Sequence, residues 1–259
     1  MAVITLCSAS GSPGVTTTAV GLAMCWPRPV LVVEADPSGS NGLLAGIFRG
    51  AREYDGGLLE LASSPLAVSD ALRDVVRPIE TTGVSFVVGT QTHSQAAGLS
   101  GLWAPLAEAL ADLERSGQDV IVDAGRLGLV GAPEPLLSWA DLTLLVTRTT
   151  LPALAGARTW AEDLRSPSAT AWRESGLLLV GDGPYAKREV GRALALPVVA
   201  TVAEDPIAAA VYHRGAPPPR RFESGPYVRS LHAAAQAITS TVARLREQRT
   251  ADLTGDATS

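Results

Sequence analysis

The 259-residue chain has no run of about 18 uncharged apolar residues, so nothing in it reads as a membrane-spanning helix. Its two cysteines, Cys7 and Cys25, are too few for a disulfide framework, and each lies in an apolar stretch that suits a small buried thiol. The three histidines, His93, His213 and His232, are scattered without ligand spacing and there is no cysteine cluster, so no structural metal is expected. Basic excess is also missing: 21 Lys and Arg against 26 Asp and Glu give a net charge of -5, which argues against bulk electrostatic attachment to nucleic acid or anionic lipid. Arg220-Arg221, beside a proline run, reads as a solvated loop. No nucleophile elbow is present, and no Cys/His or Ser/His pair has a spacing that identifies covalent catalysis. The segment Met1–Cys7 lacks a basic n-region, so a cytoplasmic address is expected.

What the chain does have is short apolar, β-branched runs at Val3–Cys7, Val30–Glu34, Val84–Val88, Val120–Asp123, Leu142–Val146, Leu177–Val180 and Val198–Val202. They are nearly continuous in apolar residues rather than alternating, the pattern of strands covered by helices on both faces. Helical spacing separates them, as in Leu102, Leu106, Leu110 and Leu113, or Leu154, Ala157, Ala161 and Leu164. Strand and helix in alternation predict an α/β fold with a doubly wound, mostly parallel sheet, whose ligands bind at strand C-termini. One domain is expected over residues 1–249, with the breaker run 215–221 ahead of a last helix from about Tyr227 to Glu247 and a flexible tail over 250–259.

The first strand runs into Ser10-Gly11-Ser12-Pro13-Gly14-Val15-Thr16-Thr17 and then a helix-compatible run from Ala19 to Met24. Strand, glycine loop and helix together form the context of a phosphate cradle: successive backbone N–H groups face inward and the helix adds its positive dipole end. Gly11, Ser12, Pro13, Gly14, Val15, Thr16 and Thr17 are therefore the candidate phosphate-binding residues, with the Thr16 hydroxyl at the Mg²⁺ ligand place. The usual lysine before that threonine is Val15, so a charge-assisted contact of about 1.5–3 kcal/mol is lost.

The loop resembles the deviant Walker A signature of the ParA/MinD family of P-loop ATPases, in which one lysine precedes two glycines and a second, after another glycine, precedes two threonines. Gly11, Gly14, Thr16 and Thr17 match, Ser12 replaces a glycine, and Ser10 and Val15 stand where the lysines would be. The strand ending in Glu34-Ala35-Asp36-Pro37-Ser38-Gly39 resembles the family's next landmark, and Asp119-Val120-Ile121-Val122-Asp123-Ala124-Gly125 its Walker B strand. The resemblance implies a place for Asp36 beside the attacking water and the metal, with Glu34 in support, and for Asp123 in the Mg²⁺ shell. It also implies that Leu196–Asp205 closes over the nucleotide base, with Gly181 and Asp205 at the base site. Two departures stand here: the base-contacting asparagine is replaced within Gly181-Asp182-Gly183, and the proline ahead of Asp205 is Ala203.

The final helix carries Val228, Leu231, Ala235, Ile238, Val242 and Leu245 as an apolar stripe, with no large aromatic and no lysine. Packing on the domain core is expected, ahead of a coiled-coil face or a membrane-binding amphipathic helix. The resemblance implies ATP or ADP with Mg²⁺ as ligands, and a protein partner or a homodimer. Three functions remain open on the sequence: a nucleotide-binding spatial organiser or scaffold with weak or absent ATP hydrolysis, of which TadZ/CpaE-type localisation proteins are a precedent; a slow ATPase with a substitute cation such as Arg126 or Lys187; or a nucleotide-free pseudo-ATPase interaction module.

Overall fold

The computed structural model describes residues 2–10, 12–39, 42–51, 56–113, 117–164 and 172–256. The strands are β1 (Val3–Ser8), β2 (Val30–Glu34), β3 (Arg77–Pro78), β4 (Val84–Val87), β5 (Asp119–Arg126), β6 (Leu142–Arg148), β7 (Ser175–Val180) and β8 (Val198–Val202). The helices are α1 (Val15–Met24), α2 (Gly42–Gly46), α3 (Leu58–Ser63), α4 (Val68–Val75), α5 (His93–Ala97), α6 (Trp103–Asp112), α7 (Glu134–Ser138), α8 (Leu151–Leu164), α9 (Lys187–Leu194), α10 (Pro206–Arg214) and α11 (Pro226–Asp256). The strands form one 8-stranded sheet in the order β3-β4-β2-β5-β1-β6-β7-β8. Every pairing is parallel except β3 with β4.

Period-two alternation divides each strand between the two faces. Ile4, Leu6, Val30, Val32, Ile121, Leu142, Leu144 and Leu178 join a core with α1, α2, α10 and α11. Their neighbours face the other way: Val3, Leu31, Val33, Val120 and Val122 pack with α3, α4 and α6, while Cys7, Leu145, Leu177 and Leu179 pack with α8 and α9. Both faces are covered, which is why the strands read as unbroken apolar runs. Both cysteines are buried free thiols.

The apolar stripe of the last helix is spent on this core: Val228, Leu231, Ala235, Ile238 and Val242 are buried in it and Leu245 packs against its edge. The helix runs past the Glu247 end read from the stripe, to Asp256, so Thr250 and the residues up to Asp256 continue it. Arg246 and Arg249 reach Asp141 at 2.7 and 3.4 Å and hold the helix beyond its last apolar contact. Among the described residues no helix is long and apolar enough to cross a membrane.

Two aspartates fasten the N-terminal end of β1 to its neighbours. Asp119 accepts hydrogen bonds from the Ala2 amide at 2.7 Å, the Trp26 indole at 2.8 Å and Arg28 Nε at 2.9 Å, while Asp141 accepts from the Val3 amide at 3.0 Å. Asp119 is fully buried. Removing one partner of such a network leaves buried donors unpaired. Asp119→Ala is expected to cost about 3–5 kcal/mol in urea denaturation; a loss below about 1 kcal/mol would contradict this reading.

Candidate functional site

The sheet order reverses around β1, which lies between β5 and β6, so the chain segments leaving these three strands meet at one edge. The segment leaving β1 is the glycine loop. Gly14 sits in the left-handed region (φ 97°, ψ 41°) as N-cap of α1, and no side chain caps the helix. The first-turn N–H groups and the positive dipole end of α1 thus open onto the loop. Ser12, in the place of a family glycine, also has a positive φ of 46°. The loop keeps a glycine-like path without glycine there, a conformation that costs a non-glycine residue roughly 1 kcal/mol. Gly11 lies outside the described residues.

Both lysine places are occupied by side chains turned into the protein. Val15 is buried and belongs to the core beneath the loop. Ser10 lies against α8, where a Cβ on Gly156 would come within 2.2 Å of its Oγ. Glycine in α8 is what leaves room for it.

Carboxylates gather beneath the loop. Glu34 and Asp123 are register partners on the adjacent strands β2 and β5. Glu34 is buried and committed to backbone: it accepts the Leu43 amide at 2.7 Å and the Gly89 amide at 3.4 Å, which pins the start of α2 and the end of β4 to β2. Burial raises its pKa, against those two hydrogen bonds. Asp36 is half-buried, accepts the Ser38 amide at 2.8 Å, and crosses over Gly125, where a Cβ would sit 2.2 Å from its Cγ. Gly125 has φ +62°, so only glycine suits both the backbone and the space. The turn after Asp36 is held by His93, whose Nδ1 is 2.8 Å from the Pro37 carbonyl.

Asp123 is 1% exposed, and among the described residues its Oδ2 has no hydrogen-bond partner, while Oδ1 accepts the Gly125 amide at 3.0 Å. Its pKa is pushed up to about 7, first by burial and further by the charges of Asp36 and Glu34, with the neighbouring Thr16 hydroxyl and the Gly125 amide pulling it down. Thr16 is packed between Asp123 and Gly42, where a Cβ would meet its Cγ2 at 2.3 Å. A buried carboxylate oxygen with no donor, beside a hydroxyl and a second carboxylate, is an all-oxygen set that fits Mg²⁺. Among the described residues no group of three or more His, Cys, Asp or Glu is placed to hold a metal unaided. A metal here would complete its shell with phosphate oxygens and water.

A cavity of about 330 Å³ opens beside the loop. One wall is Ser12, Pro13, Gly14, Thr17 and Thr18; the opposite wall is Val202 to Pro206, with Ala209, His213 and Arg214 of α10 and Tyr227 of α11. Asp205 faces this cavity but its Oδ1 already caps α10, accepting from Ile207 and Ala208 at 3.1 and 3.0 Å. Gly181, with φ +85°, lies behind the wall against Glu204 rather than in it.

Arg148, at the end of β6, also lines the cavity and forms an ion pair with Glu204, another lining residue. Sequence reading passed over this arginine, because the signal that finds it is strand order: β6 is hydrogen-bonded to β1, so its C-terminal residue emerges beside the loop. The two cations considered from sequence lie elsewhere. Arg126 is exposed at the end of β5 and is not part of the cavity wall. Lys187, the chain's single lysine, lies with Arg188 in a separate depression against residues 196–201.

The two raised carboxyls set a pH dependence for the ligand-free protein. A carboxyl whose folded pKa is raised contributes stability below its ordinary pKa of about 4 and loses it as pH rises through the folded value, which for Asp123 is about 7. Asp123→Asn is therefore expected to gain stability relative to the parent protein as metal-free buffer is taken from about pH 5 to about pH 8. Urea denaturation at the two pH values measures this, and a difference independent of pH would contradict a carboxylate held up by burial.

No family model matches the chain, and no curated protein sequence matches it. Solved structures do. The cell division ATPase MinD of Pyrococcus furiosus superposes with a TM-score of 0.74 at 18% identity, covering 93% of this chain and 99% of that one. The septum site-determining protein MinD of Pyrococcus horikoshii, complexed with Mg-ADP, gives 0.73 at 17% identity, covering 92% and 95%. A ParA family ATPase from Chlorobium tepidum gives 0.68 at 17%, covering 91% and 97%. Coverage is near-complete on both sides, and this chain has the P-loop fold of the MinD and ParA ATPases.

Proposed function

We propose that the chain is a ParA/MinD-like nucleotide-binding protein that takes ATP or ADP with Mg²⁺ and serves as a spatial organiser or scaffold, alone as a homodimer or with a protein partner, with weak or absent hydrolysis. The observation that carries this is the contrast within one site: the backbone cradle and the oxygen-rich metal corner are kept, while both lysine places are filled by inward-packed side chains. In this reading the backbone N–H groups of Ser12 and of residues 14–17 hold the phosphates, Thr16 and Asp123 face the metal, Asp36 lies next to the attacking water, and Gly181 and Asp205 belong to the base end. Backbone donors and a helix dipole bind phosphate without any side chain. Speeding phosphoryl transfer is different: it needs positive charge at the oxygens that gain charge in the transition state, and neither Ser10 nor Val15 supplies it. Binding is thereby separated from turnover.

Isothermal titration with ATP, ADP and GTP in Mg²⁺ tests the reading. Binding to the parent protein is expected, with Asp123→Asn losing about tenfold or more, the cost of one charge-assisted metal contact. Absence of binding to all three at millimolar nucleotide would overturn the proposal in favour of an interaction module with an empty pocket. A steady phosphate release that disappears in Asp36→Ala would instead establish the slow-ATPase reading.

A further inference from the structure

We infer that Arg148 is the cation that replaces the missing lysines: it binds the polyphosphate of the nucleotide by exchanging its Glu204 partner for phosphate oxygens. The inference rests on the nucleotide-binding reading above and adds to it the residue that carries the charge.

The electrostatics demand such a group. Glu34, Asp36 and Asp123 lie under the loop and Glu204 and Asp205 on the far wall, while the loop itself brings no cation. Mg²⁺ offsets only part of the repulsion that a di- or triphosphate meets there. Of the arginines on the cavity wall, Arg214 sits in the last turn of α10, at the base end. Arg148 stands on β6, the strand hydrogen-bonded to β1, and lines the same space as Ser12, Gly14 and Thr17 of the loop.

The pairing of Arg148 supports exchange rather than a fixed structural role. Its side chain is 39% exposed and that of Glu204 is 46% exposed, so water screens the pair and its loss costs little. A guanidinium forks onto phosphate oxygens as well as onto a carboxylate, and phosphate carries more charge. Glu204 is itself free to turn, since no other hydrogen bond to its carboxylate is seen among the described residues. Both partners line the cavity, so a nucleotide entering it comes within reach of the arginine.

Titrations with ADP, ATP and adenosine, all with Mg²⁺, separate the possibilities. Arg148→Ala is expected to weaken ADP and ATP by about tenfold or more while leaving adenosine unchanged, and Arg148→Lys to restore part of the loss. Glu204→Gln, which frees the arginine, is expected to tighten ADP several-fold, and that gain should vanish in the double variant Arg148→Ala/Glu204→Gln. Circular dichroism checks that each variant is folded. Equal affinity of the parent protein and Arg148→Ala for ADP would overturn the assignment while leaving nucleotide binding intact. A parallel loss for adenosine would make Arg148 a base contact and overturn it too. Should the parent protein bind neither ADP nor ATP, the nucleotide reading falls, and the arginine's role with it.

Discussion

A buried carboxylate with an oxygen that no donor satisfies governs this site. Asp123 lies on β5, the strand next to β1, under the glycine loop, and its Oδ2 has no hydrogen-bond partner among the described residues. Folding places it there because β5 pairs with both β1 and β2, so its position is set by the sheet and not by anything local. A carboxylate so placed is costly by itself and rewarding once a cation arrives. Around it the backbone is cleared: Gly125 lets Asp36 cross, Gly42 makes room for Thr16, and Glu34 holds the start of α2 in place through the Leu43 amide. In the proposed reading this corner takes a metal and phosphate without a lysine in the loop.

Much of the fold was legible in the sequence. Apolar runs bounded by Gly, Pro and Asp give seven of the strands within a few residues, because strands buried on both faces have no polar alternation to blur them. The exception is β3, Arg77–Pro78, two residues long with a proline, paired antiparallel on the sheet edge. Proline is tolerated only at such an edge, and no hydrophobic pattern marks so short a segment. The last helix was foreseen to Glu247, where its stripe stops, but ion pairs of Arg246 and Arg249 to Asp141, more than a hundred residues away in sequence, carry it further.

The site was legible in its parts and illegible in its arrangement. Gly14, Thr16, Asp36 and Asp123 stand out by type and spacing, since an anion nest and an oxygen-ligated metal demand those residues. What spacing cannot give is where side chains point. That Val15 is buried, that Ser10 rests on Gly156, and that Asp205 spends its carboxylate capping α10 all depend on packing. Arg148 escaped notice for the same reason: it lacks a motif and acquires its position only once β6 is known to lie beside β1.

Two tasks usually performed by the same loop are physically separable. Holding a phosphate takes backbone amides and a helix dipole, which survive the loss of lysine. Stabilising the charge that develops on transfer takes a cation preorganised for the transition state, and Ser10 and Val15 of the loop supply none. A crystal structure grown with Mg-ADP tests this most directly. The β-phosphate is expected within hydrogen-bond distance of the backbone N–H groups of Ser12, Gly14, Val15 and Thr16, with the metal beside Thr16 and Asp123. A nucleotide bound elsewhere on the molecule, with the loop clear of phosphate, would contradict it.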